Sequence, residues 1–430
     1  MPTPSTIGLP QGLNPLDKPL PEGFPTLPAG WRWVQLGEVA RVFAGSAAPQ
    51  GKDYFAPEGP PFVRVSDLGT EKRTTCLAEV RDRLSQEALK ECALVLAKTG
   101  TVVFPKSGAA ITKNNRAILG MDSYIVSHLM AVEPTAAATS LWLYWSLCQV
   151  DMVKYSDNDA YPSLKQSVVE KIGILLPPLS EQTRIAAILT EQMASVERAR
   201  AASETQFEAA EALPAAYLRA VFNSPETQQW PRRRLGDEAA LLPSKSIATD
   251  GDAEVQAITT ACLDESGFQP SGVKLARMRA SDATECMVSP GEILIARSNT
   301  PELVGRVAMY SGNPKGAVAS DLTIRLWVND KMDAPFLTAY LSFLYLTGYW
   351  KERAGGASGS MKKITRSQIQ NEQVPVPSLL EQQRIAAHLS KQIASVAKAR
   401  KVLEEQLDTV EKLPSALLRQ AFAGKLQVST

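Results

Sequence analysis

The fold is decided by a stretch of sequence that occurs twice. Residues Pro177–Phe222 read PPLSEQTRIAAILTEQMASVERARAASETQFEAAEALPAAYLRAVF, and residues Pro377–Phe422 read PSLLEQQRIAAHLSKQIASVAKARKVLEEQLDTVEKLPSALLRQAF. The copies align without a gap, and about half of their positions are identical, so the chain contains an internal repeat. Proline marks the entry to each copy, as is typical of the first turn of a helix. We therefore predict two long helices over 177–224 and 377–424.

Each copy carries an apolar stripe whose steps alternate between four and three residues, which is the heptad pattern of a coiled coil. The predicted pairing residues are Ile185, Leu189, Val196, Leu213, Ile385, Leu389, Val396, Leu403, Val410 and Leu413. Because polar residues recur in the stripe, one helix alone would be marginal, and we predict that the two copies pair with each other. Roughly 30 helical residues would give a rod of about 45 Å. The alternative is two unrelated surface helices on separate domains.

The segments before the repeated stretches also resemble each other. Both open with a similar motif, Leu36-Gly37-Glu38 in the first and Leu235-Gly236-Asp237 in the second. Both mix short β-type runs with helical stretches, so the predicted fold class is α+β, with two similar globular domains and a pseudo-two-fold internal repeat. The predicted boundaries are 1–29 for a flexible Pro-rich tail, 30–176 and 225–376 for the globular domains, 177–224 and 377–424 for the helices, and 425–430 for a tail.

Composition excludes several classes of protein. The 430 residues include 46 Lys and Arg against 45 Asp and Glu, which excludes a strongly basic nucleic-acid coat but not a basic patch. The longest apolar run, Leu141–Leu147, is far too short to cross a bilayer, and the amino terminus has no signal-peptide pattern. The five cysteines form no C-x-x-C pair, which argues against a zinc site and favours the cytoplasm. Of the two histidines, His128 lies in an apolar run and is predicted to be a core residue.

Two motifs are similar to those of enzymes but lack the residues that the chemistry needs. Gly59-Pro60-Pro61-Phe62 is similar to the Asn/Asp-Pro-Pro-aromatic motif of adenine-N6 methyltransferases, but glycine occupies the position that would bind the base amine. The glycine-rich run at 355–360 lacks the Gly-Lys-Ser/Thr ending of a P-loop. We predict that the chain is not an enzyme and that it has no catalytic residue and no metal site.

Basic residues concentrate in three places. Lys98–Arg116 contains four cations and no acid, Ala296–Arg306 follows a β-type run in the second half, and Lys351–Arg366 surrounds the glycine run. Lys and Arg neutralise phosphates, and Asn, Ser and Arg present groups that fit base edges. Solvated loops are the alternative, but two similar basic modules suit the two half-sites of a split DNA sequence.

The layout resembles the specificity (S) subunit of Type I restriction–modification systems from Trp31 onward. The most specific marks are the two Pro-x-x-x-Glu-Gln-x-Arg-Ile-Ala-Ala segments, Pro177–Ala187 and Pro377–Ala387. Weaker marks are the entry Gly30–Glu38 and the run Pro61–Leu68. The resemblance implies two target recognition domains, each reading one half of a bipartite double-stranded DNA target. It also implies that the two helices form an antiparallel coiled coil, which sets the spacing.

The resemblance also implies partners. A non-catalytic S subunit binds no cofactor itself and assembles with two methyltransferase (modification) subunits and with restriction/translocase subunits. S-adenosylmethionine, ATP and Mg are then expected on those partner subunits. The DNA-binding candidates are Arg64, Lys106, Ser107, Lys113, Asn114, Asn115, Arg116, Arg297, Ser298, Asn299, Thr300, Arg306, Lys362 and Lys363. The alternative function is an assembly scaffold or regulator without sequence-specific DNA binding.

Overall fold

The computed structural model describes residues 27–69, 75–157, 162–247, 251–264, 267–358 and 361–426. The chain divides into two units, the first made of Met1–Arg200 with Thr409–Thr430 and the second of Ala201–Asp408. Most of the two predicted tails lies outside the described residues. The predicted domain boundaries stay a prediction.

The first unit contains small sheets and mostly short helices. Its strands are β1 (Arg32–Gln35), β2 (Ala40–Ala44), β3 (Pro61–Val63), β4 (Cys76–Leu77), β5 (Asp82–Arg83), β6 (Leu96–Ala97), β7 (Val102–Pro105), β8 (Ala117–Leu119), β9 (Ser123–Ile125), β10 (Leu129–Pro134) and β11 (Gly173–Leu176). Its helices are α1 (Leu36–Val39), α2 (Gln86–Glu91), α3 (Ser140–Cys148), α4 (Gln166–Glu170), the first part of α5 (Leu179–Phe222) and the last part of α12 (Leu379–Phe422). A five-stranded sheet has the order β2-β10-β7-β8-β4, and a four-stranded sheet has the order β5-β3-β9-β6.

The second unit follows the same plan with more strands. Its strands are β12 (Arg232–Arg234), β13 (Ala239–Leu242), β14 (Ala253–Ile258), β15 (Leu263–Asp264), β16 (Gly267–Phe268), β17 (Lys274–Met278), β18 (Ile293–Ala296), β19 (Ser298–Asn299), β20 (Val307–Met309), β21 (Val318–Ala319), β22 (Thr323–Val328), β23 (Gly355–Ser358), β24 (Met361–Lys363) and β25 (Gln373–Pro375). Its helices are the last part of α5, α6 (Pro225–Gln228), α7 (Leu235–Glu238), α8 (Ala280–Cys286), α9 (Ala334–Leu346), α10 (Tyr349–Arg353), α11 (Arg366–Asn371) and most of α12 (Leu379–Phe422). Its sheets have the orders β13-β22-β18-β20, β17-β14-β21 and β19-β24-β23.

The pseudo-two-fold repeat is visible in the strand pairing. The first and last strands of each globular domain form a two-stranded sheet, β1 with β11 and β12 with β25. In the register, Val34 lies opposite Ile174, and Arg233 lies opposite Val374. The predicted α+β fold class with two similar mixed domains is confirmed.

The two long helices lie within the predicted bounds, 177–224 and 377–424, but form a longer rod than the expected length of about 45 Å. Helices α5 and α12 each have 44 residues, about 66 Å at 1.5 Å per residue, and each continues through an internal proline. In the first unit, Ile185 and Leu189 near the start of α5 share one core with Phe422 at the end of α12. In the second unit, Leu389 shares a core with Phe222. Within each unit the start of one long helix therefore packs in a common core with the end of the other, as antiparallel pairing requires.

The predicted seam residues are buried near the start of each helix and become more exposed farther along. Val196 and Val396 are buried, and Leu403 and Val410 are half-buried, whereas Leu213 and Leu413 are 37% and 38% exposed. The residues on the inner side instead are Phe207, Ala210, Pro214, Leu218 and Phe222 in α5. A helix with 3.6 residues per turn drifts away from a strict 3.5-residue repeat. The buried position near the end of α5 is therefore Pro214, one residue after the predicted Leu213.

A buried glutamine joins each globular domain to the helix that follows it. Gln182 is fully buried at the start of α5. Its Oε1 accepts a hydrogen bond from the backbone N–H of Thr139, the N-cap of α3, at 2.9 Å. Its Nε2 donates to the carbonyls of Ala137 and Pro177 at 3.0 and 2.9 Å. The side chain therefore fixes the start of α5 against α3.

The second unit repeats this arrangement with different neighbours. Gln382 is also fully buried, and its Oε1 accepts from the N–H of Asp333, the N-cap of α9, at 2.8 Å. Its Nε2 donates to the carbonyls of Lys331 and Pro377 at 3.0 and 2.9 Å. In each copy of the repeated motif, the glutamine of the Glu-Gln pair therefore makes an equivalent set of three hydrogen bonds.

Candidate nucleic-acid interface

Two basic stretches that are far apart in the sequence meet in the second unit. Strand β18 ends at Ala296, and the chain continues through Arg297 into β19, which pairs antiparallel with β24. Ser298 lies opposite Lys363, and Asn299 lies opposite Lys362. Since the predicted DNA-binding residues of both stretches fall on these paired strands, we refer to 297–300 with 361–363 as the polar ladder.

The first unit contains the same construction. After β7, the carbonyl of Lys106 accepts a hydrogen bond from the N–H of Leu164 at 2.9 Å, and Ser107 bridges to Ser163. In the second unit, the carbonyl of Arg297 accepts from the N–H of Ile364 at 2.8 Å. Lys106 and Arg297 therefore occupy equivalent places, each at the point where the end of a central strand meets a distant segment.

Several candidates present polar groups toward solvent. Lys113, Thr300 and Lys363 are exposed, while Lys106 and Lys362 are half-buried. Among the described residues these four lysines have no carboxylate within ion-pair distance. Ser298, Asn299, Asn114 and Asn115 are half-buried, and Asn114 has a left-handed backbone conformation with φ 53°. Uncompensated cations beside amides and hydroxyls form a surface suited to a nucleic acid.

Arg116 is a correction to the predicted DNA-binding set. Its side chain is buried, and its guanidinium donates to the carbonyls of Leu147 and Val150 at 3.0 Å each. It also donates to Asn114 Oδ1 at 2.6 Å. Burial is the largest influence on this group and lowers its pKa. Because Arg116 satisfies the carbonyls at the end of α3, it cannot contact DNA, and a charge count along the sequence does not reveal this.

Arg306 and Arg64 are also held by internal partners. Arg306 is half-buried, and its Nε donates to the hydroxyl of Tyr345 at 3.0 Å. Arg64 forms an ion pair with Asp82, and its guanidinium lies 5.3 Å from the centroids of the Phe55 and Phe62 rings. Both half-buried side chains therefore have partners within their own domains, and their predicted contact with DNA stays a prediction.

The prediction that His128 is a core residue is wrong. The side chain is exposed, and its Nδ1 lies 2.6 Å from the hydroxyl oxygen of Ser107. The carbonyl of His128 accepts a hydrogen bond from the N–H of Lys106 at 2.8 Å. This histidine consequently belongs to the polar surface around Lys106. The apolar neighbours that suggested burial belong to β9, β10 and the residues between them.

The sequence pattern did not single out Gln182 and Gln382, and it placed Arg366 in a basic stretch without indicating its contacts. The signal for the glutamines was available, because both occupy the buried helix face that continues at Ile185 and Ile385. Arg366 donates from one nitrogen to the carbonyls of Leu241 and Leu242 at 3.0 Å each, a contact across the fold that no local pattern indicates.

Other kinds of site are not found in the described ranges. These residues contain no group of three or more His, Cys, Asp or Glu side chains arranged to hold a metal ion. None of the helices that the structure describes is both long and apolar enough to span a membrane.

Comparison with known proteins identifies the class, a DNA sequence-specificity protein. The family model described as Type I restriction modification DNA specificity domain matches residues 28–202 and 279–406, so the chain belongs to this family. It is a specificity subunit of a Type I restriction–modification system and is not itself an enzyme, because this family is non-catalytic. Specificity subunits are in general free of cofactors, and the family implies a complex with methylase and restriction subunits and with DNA.

Several curated relatives are specificity subunits. The chain is 23% identical over 437 residues to the EcoDI specificity subunit of Escherichia coli, covering 93% of this chain and 89% of that one. It is 22% identical to the StySPI specificity subunit of Salmonella potsdam, covering 93% and 90%. The match to the MjaIX specificity subunit of Methanocaldococcus jannaschii is 28% identical but spans 35% of each chain.

Solved structures share the fold. A chain from a study of complex assembly and conformational transition of the type I R-M system superposes with a TM-score of 0.70 and 23% identity, covering 93% of this chain and 100% of that one. The HsdS subunit from Thermoanaerobacter tengcongensis superposes with a TM-score of 0.61 and 22% identity, covering 94% and 100%.

Proposed function

We propose that each unit reads one half of a bipartite DNA target through the segment that follows its central strand. The recognition domains are residues 30–176 and 225–376, and the polar ladder is the reading element of the second. The observation that carries the proposal is the equivalent construction at Lys106 and Arg297, which places different side chains on the same frame. A shared frame with variable side chains suits two half-sites that differ in sequence.

The polar ladder comprises two strands of the three-stranded sheet β19-β24-β23, and we expect these two strands to face a groove of duplex DNA. The major groove admits a two-stranded β-ribbon, and its base edges present distinct patterns of donors and acceptors. Asn299 and Lys362 lie directly opposite each other on paired strands, so both side chains are candidates for one short run of base pairs. In the first domain, Lys106, Ser107 and Lys113 are the corresponding candidates, with His128 beside them.

The complex supplies the chemistry that this chain lacks. We infer that two modification subunits, which would hold S-adenosylmethionine, and restriction/translocase subunits, which would use ATP and Mg, assemble with the chain in the cytoplasm. The long helices α5 and α12 set the distance between half-sites. This chain then contributes sequence choice and spacing.

The experiment is a methylation map for the chain expressed with its modification subunits, read by single-molecule sequencing of N6-methyladenine. Asn299→Ala with Lys362→Ala should relax one half of the methylated motif. Lys106→Ala with Lys113→Ala should relax the other half. Removal of each base contact costs about 1–3 kcal/mol of discrimination at one position.

Matched controls separate local from general effects. Asn223→Ala and Lys90→Ala remove the same types of side chain at exposed positions outside the candidate surfaces and should leave the motif unchanged. If either pair of substitutions relaxes both halves of the motif, the proposal that each domain reads one half is refuted. If the methylated motif is the same in all variants, these side chains do not read sequence, and the alternative function as an assembly scaffold is favoured.

A further inference from the structure

Three arginines lie together beside the polar ladder, and their charges are not balanced. Arg325 is buried and neutralised, because its Nε and Nη2 donate to the two carboxylate oxygens of Glu292 at 2.8 and 3.0 Å. Arg297 and Arg366 lack such a partner, since no carboxylate among the described residues lies within ion-pair distance of either guanidinium. The cluster therefore carries a surplus of positive charge at a half-buried position.

The hydrogen bonds of the two unpaired arginines leave donors free. Arg297 Nη1 donates to the carbonyl of Asp321 at 3.1 Å, and its buried Nε has no partner. The carboxylate of Asp321 accepts a hydrogen bond from Ser246 instead. Arg366 uses Nη2 for the carbonyls of Leu241 and Leu242, and its other nitrogens have no hydrogen-bond partner in the part of the chain that the structure describes.

The electrostatic field at Arg366 agrees with this geometry. Burial, followed by the charges of Arg297 and Arg325, lowers the pKa of the Arg366 guanidinium. All the charged groups that influence it are cations. An anion placed between Arg297 and Arg366 would relieve this repulsion and would accept the free N–H groups, since arginine binds phosphate through parallel hydrogen bonds.

We propose that Arg297 and Arg366 bind one phosphate of the DNA backbone at the edge of the polar ladder. The inference deepens the proposed DNA reading and rests on it. Arg297 is the first residue of the polar ladder, and Arg366 begins α11 three residues after β24 ends, so both lie at the same end of the ladder. A phosphate held there fixes how the ladder sits against the base pairs without itself reading sequence.

The first unit lacks the second cation. Since Leu164 and Ile364 make equivalent hydrogen bonds, Lys106 corresponds to Arg297 and Gln166 corresponds to Arg366. Gln166 donates to Glu170 at 2.9 Å, and the neighbouring Lys165 is paired with Asp157 at 2.8 Å, so Lys106 is the cation at that place without a carboxylate partner among the described residues. The two-arginine site is therefore a feature of the second unit.

The test is the salt dependence of binding by the full chain to an arbitrary 30-base-pair duplex, measured by fluorescence anisotropy. The slope of log K against log salt changes by about 0.9 for each phosphate that the protein no longer neutralises. The double variant Arg297→Gln with Arg366→Gln should make the slope shallower by about 0.9, and neither single variant should exceed that change. Arg366→Lys keeps the charge and should keep the slope, even if removal of the hydrogen bonds to the carbonyls lowers the melting temperature.

Arg279→Gln is the matched control, because it removes an exposed arginine charge from the same unit outside the ladder. A slope unchanged in the double variant overturns the site, and a change of about 1.8 overturns a single shared phosphate. An unchanged slope with weaker retention of the modification subunits on a sizing column would show that an acidic protein surface binds there instead. Wild-type chain that binds duplex DNA without any sequence preference in its complex would contradict the proposed function but not this phosphate site.

Discussion

Replacement of Gln382 by alanine tests how the second domain is held on its helix. The substitution removes three hydrogen bonds and leaves the N–H of Asp333 and the carbonyls of Lys331 and Pro377 without partners. A buried group left unsatisfied costs about 1–3 kcal/mol, but two of these three bonds are only partly buried, so we expect a loss of about 2–5 kcal/mol. For a unit of this size, each kcal/mol lowers the melting temperature by about 2–4 °C.

The measurement is thermal and denaturant unfolding of the full chain, with hydrogen exchange across α9 to localise the effect. Gln383→Ala is the matched control, because the same side chain is removed one position away at an exposed site, and its effect should stay within about 0.5 kcal/mol. Gln382→Glu keeps the size and the acceptor for Asp333 but turns carboxylate oxygen toward two carbonyls, so it should destabilise at least as much as alanine. If Gln382→Ala and Gln383→Ala have the same melting temperature, the three hydrogen bonds do not hold the domain on the helix.

Three further outcomes are expected. Leu389→Asp should destabilise the second unit by about 3–5 kcal/mol, because it puts a charge into the core, whereas Val402→Asp on the exposed side of α12 should have little effect in the same melt. Burial raises the pKa of Glu372, which accepts a hydrogen bond from Tyr349 at 2.6 Å, so the ionised form weakens the fold. That contribution to stability is full below the ordinary pKa of a glutamate and is lost as pH rises through the raised pKa, so Glu372→Gln should melt higher than wild type at pH 8 and equally at pH 4. Inserting four residues after both Ala199 and Ala399 adds about 6 Å of helix, and the methylated motif should gain one or two base pairs in its gap with both half-sequences unchanged; an unchanged gap would mean that the helices do not set it.

The long helices were predictable because their signal is local and repeated. A gapless duplication with a recurring apolar stripe specifies two similar helices before any contact is known. The details of pairing were less accessible. The exposure of Leu213 and Leu413 depends on how far the real helix departs from a 3.5-residue repeat, and that departure is set by packing against the partner helix.

The candidate interface was predictable in composition but not in arrangement. Charge patterns located Arg297 and Lys362, yet only the three-dimensional pairing of β19 with β24 brings them together. The same patterns could not distinguish Lys113, which faces solvent, from Arg116, which turns inward to carbonyls at the end of α3. The direction of a side chain depends on its tertiary neighbours. Two cations in one loop can therefore differ, with one exposed on the surface and the other buried in the core.

The division of the chain has a consequence for its synthesis on the ribosome. The second unit is one contiguous segment, whereas the first is completed only by residues near the carboxyl terminus. Phe422 packs on Trp142 at 4.8 Å between ring centroids, and at a translation rate of about 5–20 residues per second the later residue emerges roughly 15–55 s after the earlier one. During that interval the aromatic face of α3 lacks its final cover. The first unit therefore completes its core only after the second unit has been translated.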